Sequence, residues 1–291
     1  MTVITESNAI TEQTAVKQIG VTFAAEVKGV DFANLTEEVT DHIYELLLEY
    51  GVLFFRGANI TAEQQEILAH SFGKPAVFPI SGITHPEREL PFLSEITDTP
   101  DSPPDADGWH TDITWIPNPP KIGILAALDI PESGGDTLWA DLYAAYDNFS
   151  PVMQEFFEKL TLKHVISDVI LNAVVRLGKP EAVSYIKEKF PPVSHPLIRT
   201  HPDTGRKALF VAGQFMQSVE GLNDKESEML ISWLHEYINN PNFHVRWQWQ
   251  EGDLAIWDER CTNHRALSNH YPQYRRMRRC TIEGDAPFFS A

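Results

Sequence analysis

Cysteine is scarce. Cys261 and Cys280 are the only two in 291 residues, too few for the disulfide framework of a small secreted scaffold. Long apolar runs are missing too: none reaches the roughly 18 residues that a transmembrane helix needs. The polar stretch Met1 to Gln18 has no signal-peptide core. Basic charge is in short supply, with 23 Lys and Arg against 41 Asp and Glu and a net charge of −18. That balance argues against nucleic acid as a partner, since non-specific binding needs a basic surface to neutralise phosphates, and against an anionic membrane surface. Neither GxGxxG nor GxxxxGK[ST] occurs, so no dinucleotide or phosphate loop is present. No repeat and no Ser/Gly-rich linker divides the chain. A cytoplasmic enzyme is the expectation that these absences leave.

What is present is enough apolar residue, 43% of the chain, to build a sizeable core. Residues 1–17 lack a convincing period and are read as a loose N-terminal arm, with 18–291 as one domain. Gly20 to Val27 alternates like a strand. A helix is expected from Thr36 to Gly51, with Glu37 and Glu38 complementing the N-terminal dipole and Val39, Ile43, Leu46, Leu47 and Tyr50 on one face. A second helix runs from Thr61 to Gly73, opened by a Thr61/Gln64 capping box. Val52 to Phe55 between them reads as a buried strand. Pro75 to Gly108 is dense in Pro, Asp and Thr and reads as a long functional loop. Strand-like runs follow at Ile122–Leu128, Thr137–Ala140, Leu209–Val211, Phe243–Trp249, Asp253–Trp257 and Arg279–Ile282. Helices start at Ser150-Pro151 and near Asn223. The order is not a strict β-α-β-α alternation, so one domain built on a β-sandwich or jelly roll is the best architecture.

The segment Trp109-His110-Thr111-Asp112 carries the chemistry. If it is extended, His110 and Asp112 share a face and present an imidazole and a carboxylate side by side. With one more imidazole these make the two-His, one-carboxylate set that non-haem Fe(II) oxygenases use. His-x-Asp alone is weak evidence. The distal Asn263-His264-Arg265-Ala266, followed by Arg275, adds independent constraints.

Here the chain resembles the taurine dioxygenase family of Fe(II)- and 2-oxoglutarate-dependent dioxygenases, which includes alkylsulfatase-type and phenoxyalkanoate enzymes. The resemblance runs from about Gly20 to Phe289. It is carried by Trp109 to Asp112, Gly134-Gly135-Asp136-Thr137-Leu138-Trp139, His195 to Pro202, Trp257-Asp258 with His264, and Arg275 through Asp285. It implies a mainly β fold, a double-stranded β-helix (jelly roll) flanked by α-helices. It implies that His110, Asp112 and His264 bind Fe(II), and that Thr137 and Arg275 hold the distal carboxylate of 2-oxoglutarate. With O2 as oxidant, the products would be succinate, CO2 and an oxidised, most simply hydroxylated, small organic anion. A guanidinium fork suits a buried carboxylate. Arg279 matches the position that grips a sulfonate, sulfate ester or carboxylate substrate. Strand parity places it on the Arg275 face, with Arg276 and Arg278 outward, unless a bulge intervenes. At the substrate end, Phe78, Ser81 and Ala106 replace more polar residues of the taurine enzymes, while Phe215 keeps an aromatic. Taurine itself is therefore doubtful and a bulkier, more apolar anion is favoured. A homo-oligomer, dimer or tetramer, is expected.

Desaturation, epoxidation and cyclisation stay open as outcomes. A zinc hydrolase would use the same three ligands but leaves Thr137 and Arg275 without a purpose. A catalytically silent jelly-roll binding protein is the other rival. His42, His70 and His235 read as surface or satisfied helix residues and His195 and His201 as structural. His164 and His270 have no assigned role. Trp109 and Trp139 are core or pack around the metal. Both cysteines read as small buried hydrophobes. Of the twelve arginines, six fall between Arg260 and Arg279, so a small cationic well inside an acidic shell is expected.

Overall fold

The computed structural model describes residues 14–85, 90–104 and 108–291. Most of the N-terminal arm and Ala106 therefore lie outside the described residues. Along the chain the strands are β1 (Ala15–Gln18), β2 (Ala25–Lys28), β3 (Val52–Phe55), β4 (Pro75–Ala76), β5 (Ser94–Asp98), β6 (Ile122–Asp129), β7 (Thr137–Asp141), β8 (Thr161–His164), β9 (Val193–Pro196), β10 (Ile198–Thr200), β11 (Lys207–Leu209), β12 (Met216–Val219), β13 (His244–Trp247), β14 (Leu254–Asp258), β15 (Thr262–Ala266) and β16 (Arg275–Ile282). The helices are α1 (Glu37–Tyr50), α2 (Ala62–Ser71), α3 (Ser81–Thr84), α4 (Leu142–Asp147), α5 (Pro151–Phe157), α6 (Asp168–Arg176), α7 (Ala182–Lys189) and α8 (Asp224–Ile238).

The large sheet runs β1-β2-β3-β14-β6-β16-β4, with β5 also on β16. A second sheet, β13-β7-β15, faces it. Period-2 alternation decides what each face of the large sheet meets. Leu53, Phe55, Ile122, Ile124, Leu254, Ile256, Cys280 and Ile282 point one way and bury against Ile43, Leu47, Leu68 and Ala69 of α1 and α2. Their neighbours Val52, Phe54, Leu125, Ala255, Trp257 and Met277 point the other way, onto Trp139 and Trp247 of the second sheet. Phe54 stacks on Trp247 with centroids 4.3 Å apart. Each such fully buried large apolar side chain stabilises the fold by roughly 1.5–3 kcal/mol. This is the jelly roll, with helices covering its outer face.

The helix signals act as expected. Thr36 accepts from the Val39 N–H, and α1 stops at Gly51 with φ 69°. Both halves of the Thr61/Gln64 capping box form. Asn223 and Glu226 make another at α8.

Several boundaries differ from the sequence reading. The arm expected to reach residue 17 gives way at Ala15, where β1 pairs with β2. Gly20 to Phe23 turn rather than extend, and the strand there is only Ala25–Lys28. The strand expected at Leu209–Val211 lies at Lys207–Leu209, because the buried run that follows leaves the two-stranded pairing with Ile198–Thr200. The expected loop from Pro75 to Gly108 contains β4, α3 and β5. Its short strands are held by β16 rather than by any apolar period of their own.

Candidate active site

His110 and His264 meet through the backbone. Each donates its N–H to the other's carbonyl at 2.9 Å, an isolated antiparallel bridge that sets their ring centroids 4.2 Å apart. Between Trp109 and Asp112, only His110 is bridged in this way. The chain turns from Asp112 onward, and Ile113 takes φ 53°. Thus Trp109 to Asp112 is not one extended strand, yet the carboxylate still reaches the imidazoles: His110 Nε2 lies 3.7 Å from Asp112 Oδ1. One ligand atom from each of His110, Asp112 and His264 falls within 4.8 Å of the others, and all three residues are buried.

Other side chains fix this turn. Buried Glu259 accepts the Asp112 N–H at 3.1 Å and the Trp257 indole N–H at 2.7 Å. Thr114, two residues on, is gripped by His164 at its hydroxyl (3.0 Å) and by His195 at its carbonyl (2.8 Å). His201 has a similar structural task. It donates to Asp258, which is also clasped by Arg260 at 2.9 and 2.6 Å, closing the turn that leads into β15. His201, Asp258 and Cys261 thus cluster as if to hold a metal, but both ring nitrogens of His201 are already hydrogen-bonded, Nε2 to Asp258 and Nδ1 to the Asp203 and Thr204 N–H groups.

Asp112 and His264 have the protonation states a divalent cation needs. Burial alone would raise the Asp112 pKa, but the Arg279 guanidinium and the two imidazoles outweigh it and bring it down to about 2. Burial, aided by His110, lowers His264 to about 3, so its ring is neutral. His110 Nδ1 donates to the Gly108 carbonyl at 2.8 Å, which leaves Nε2 bare. His264 Nδ1 is buried with no protein partner. Burial and the Asp112 charge raise the Glu259 carboxyl well above its ordinary range.

His110 and His264 line a cavity of about 220 Å³ whose other walls include Asp98, Thr137, Trp139, Trp257, Arg275, Met277 and Arg279. Thr137 opens β7 and its Oγ1 accepts the Trp249 indole N–H at 2.9 Å. With that lone pair engaged, the hydroxyl proton is free to be donated. Arg275 is buried and its Nε has no partner, an orphan that an anionic ligand would satisfy. Arg275, Met277 and Arg279 alternate with outward Arg276, which bonds Asp129, and Arg278, which bonds Gln65 and Ile60. A bulge does occur beside them, but it falls on β6: Arg276 opposes Asp129 and Met277 opposes Ala127, so Leu128 is the extra residue. Parity along β16 survives for that reason.

Arg279 also lines a second, adjoining cavity of about 570 Å³. Phe78 and Ser81 are among its walls, as are Ile80, Val169 and Ala173 of α6, and Leu177 just after it. Phe215 is buried in the apolar core and lines neither cavity. Trp109, buried in the core, donates to Asn239 at 2.7 Å and packs on His244. Asp98, His270, Trp249 and Glu259 escaped the sequence reading. The Glu259 position, one residue past Trp257-Asp258, was the only available signal.

The family model for the taurine catabolism dioxygenase TauD, TfdA family matches residues 15–281. The chain belongs to this family. It is an Fe(II)- and 2-oxoglutarate-dependent dioxygenase, with O2 as the oxidant, and the donor set and the orphaned Arg275 fit those groups. The dioxygenase is 34% identical over 282 residues to an alkylsulfatase of Acinetobacter baylyi, covering 94% of this chain and 86% of that protein. It is 33% identical over 279 residues to an alpha-ketoglutarate-dependent 2,4-dichlorophenoxyacetate dioxygenase of Cupriavidus pinatubonensis, covering 91% and 96%. Among solved structures it resembles a taurine dioxygenase from Burkholderia xenovorans, with TM-score 0.79, 31% identity and coverage of 94% and 92%. It also resembles AAD-2 in complex with Mn(II) and N-oxalylglycine, with TM-score 0.77, 28% identity and coverage of 95% and 100%. No described helix is long and apolar enough to cross a membrane.

Proposed function

We propose that the dioxygenase oxidises a small organic anion with an apolar body, of the sulfate ester, sulfonate or aryloxyalkanoate class, and that taurine is a poor substrate. The observation that carries this is the place of Arg279. It lines both the small cavity walled by His110 and His264 and the larger one beside α6, and its guanidinium lies against Asp112. A taurine-sized body leaves most of 570 Å³ unfilled, and the walls from Phe78, Ile80, Val169, Ala173 and Leu177 reward apolar contact.

In this mechanism His110, Asp112 and His264 hold Fe(II), and Thr137 and Arg275 hold the distal carboxylate of 2-oxoglutarate. The iron supplies O2 activation coupled to decarboxylation of the keto acid to succinate and CO2. Thr137 donates one hydrogen bond, its lone pair being occupied by Trp249, and Arg275 offers its fork. Arg275 and Arg279 are four residues apart on one strand face, about 13 Å at strand rise, so two anions are held without sharing a cation. Trp139, Trp257 and Met277 keep the smaller cavity dry. Hydroxylation beside a sulfate or ether oxygen gives a product that fragments.

A panel of alkyl sulfates, alkyl sulfonates, aryloxyalkanoates and taurine, assayed with Fe(II), ascorbate and 2-oxoglutarate, tests this by succinate release. Faster turnover of the apolar anions is the expected result; taurine outperforming all of them overturns it. We further propose a cytoplasmic homo-oligomer, dimer or tetramer. Two free buried cysteines and the exposed Val152, Phe156, Met229 and Trp233 of α5 and α8 support it, and light scattering measures the assembly state.

A further inference from the structure

The strand hidden in the Pro75–Gly108 segment has a consequence for the co-substrate. In β5, Ser94, Ile96 and Asp98 lie directly opposite Arg279, Met277 and Arg275 of β16. Asp98 and Arg275 are therefore a cross-strand pair of opposite charge, and both line the smaller cavity. Arg275 Nη1 lies 3.6 Å from Asp98 Oδ2, the only salt bridge Arg275 makes among the described residues. That contact is an ion pair, longer than a hydrogen bond, so it aims the guanidinium without consuming its fork.

Asp98 is itself fixed. The same Oδ2 accepts from His270 Nε2 at 3.1 Å, and both residues are buried. The other side of Arg275 is closed by backbone. Gly135, at φ +71°, approaches so closely that a Cβ there would lie 3.0 Å from Arg275 Cδ and 3.3 Å from His270 Cγ. Asn269, next to His270, accepts the Gly135 N–H at 3.0 Å. Gly135 and Asp98, the latter held by His270, thus flank Arg275, which shares the smaller cavity with Thr137.

We propose that Asp98, backed by His270, is a positioning residue that sets the depth of Arg275 in the cavity, and so selects a five-carbon 2-oxo dicarboxylate over longer or shorter ones. This rests on the reading that Thr137 and Arg275 bind the distal carboxylate. A buried guanidinium without its counter-charge drifts toward solvent or toward the nearest anion, and a fork free to move no longer measures chain length.

The test is binding, not turnover. Mn(II) replaces iron, and isothermal titration compares 2-oxoglutarate with oxaloacetate and with 2-oxoadipate, one methylene shorter and longer. Wild type, Asp98→Asn, Asp98→Ala, His270→Gln and Arg275→Ala are used, each first shown to bind Mn(II) like wild type. Asp98→Asn keeps the side-chain shape and guards against loss of folding. The expected result is that both Asp98 variants weaken 2-oxoglutarate roughly tenfold and narrow its advantage over 2-oxoadipate, with His270→Gln intermediate. If the Asp98 variants keep wild-type affinity and length preference while Arg275→Ala loses binding, the positioning role is overturned and the carboxylate site stands. If Arg275→Ala also binds normally, the carboxylate site is wrong and the proposal falls with it.

Discussion

Arg279 lies against the carboxylate of Asp112, its Nη1 3.2 Å from Oδ1 and 3.0 Å from Oδ2. One cation thus touches a proposed iron ligand and lines the larger cavity. Replacing it by Ala removes the partner of a buried carboxylate as well as the anchor for substrate. Arg279→Ala is expected to lower kcat/KM for anionic substrates by about 2–4 kcal/mol, roughly 30- to 1000-fold. Uncharged analogues of the same size should lose much less. Equal loss for both would show that Arg279 acts only through Asp112.

Glu259 makes a sharper demand than its burial suggests. Both its oxygens accept N–H donors, from Asp112 and Trp257. Glu259→Gln must turn an NH2 toward one of them, which leaves two donors facing each other. Mn(II) affinity, read by electron paramagnetic resonance, should fall roughly 10- to 100-fold, with a lower Tm. Wild-type affinity would remove Glu259 from the support of Asp112.

Acid should destabilise the metal-free protein early. Burial, with a contribution from His195, lowers His164 to about 3, and His264 also lies near 3. The unfolded chain binds these protons near pH 6.5. Between about pH 6.5 and 3 the unfolded state therefore holds more protons, and stability falls as pH falls. Each such residue adds up to about 1.4 kcal/mol per pH unit to the slope. Asp112 works in the same direction at lower pH, losing its contribution between about 4 and 2. Denaturant melts of His164→Gln should show a shallower acid limb; an unchanged slope would mean that His164 charges in the fold.

Gly135 tolerates no side chain. Its φ of +71° strains any L-residue, and the new Cβ would press on Arg275. Gly135→Ala should cost roughly 1–3 kcal/mol of stability and raise the KM for 2-oxoglutarate more than it lowers kcat. A change in kcat alone would count against the contact.

The wall formed by α6 should set substrate size. Ala173 is the smallest of its cavity-facing residues, between Val169 and Leu177 at helical spacing. Ala173→Phe is expected to depress turnover of long-chain or aryl anions several-fold while sparing short ones, as filling a pocket rejects bulk by about 1–3 kcal/mol. A uniform loss across chain lengths would place the substrate elsewhere.

Legibility followed the physics of each signal. Capping boxes at Thr61 and Asn223 are local chemistry, and they form where the sequence predicts. The parity of Arg275, Met277 and Arg279 is local too, and it survives because the bulge falls on the neighbouring strand, which no periodicity in β16 could report. β5 has no apolar alternation of its own and exists as a strand through its pairing with β16. Phe215 carried an aromatic into the expected alignment, yet it packs in the core. α6 carries none of the motifs that the sequence offers, yet it places Val169 and Ala173 on the cavity, with Leu177 just beyond its end.

By itself the sequence determined the chemical inventory: two imidazoles and a carboxylate of the kind that suits iron, a Thr and an Arg proposed for the keto acid, a further Arg proposed for an anion, and enough alternating apolar residue for a jelly roll. Side-chain type and short-range spacing are properties of the chain before it folds. Only the tertiary structure decided which groups hold these in place. Glu259 under Asp112, Trp249 on Thr137, and Asp98 with His270 behind Arg275 are contacts between residues 112 to 177 positions apart. Burial and facing register create them, and both appear only when strands distant in sequence become neighbours.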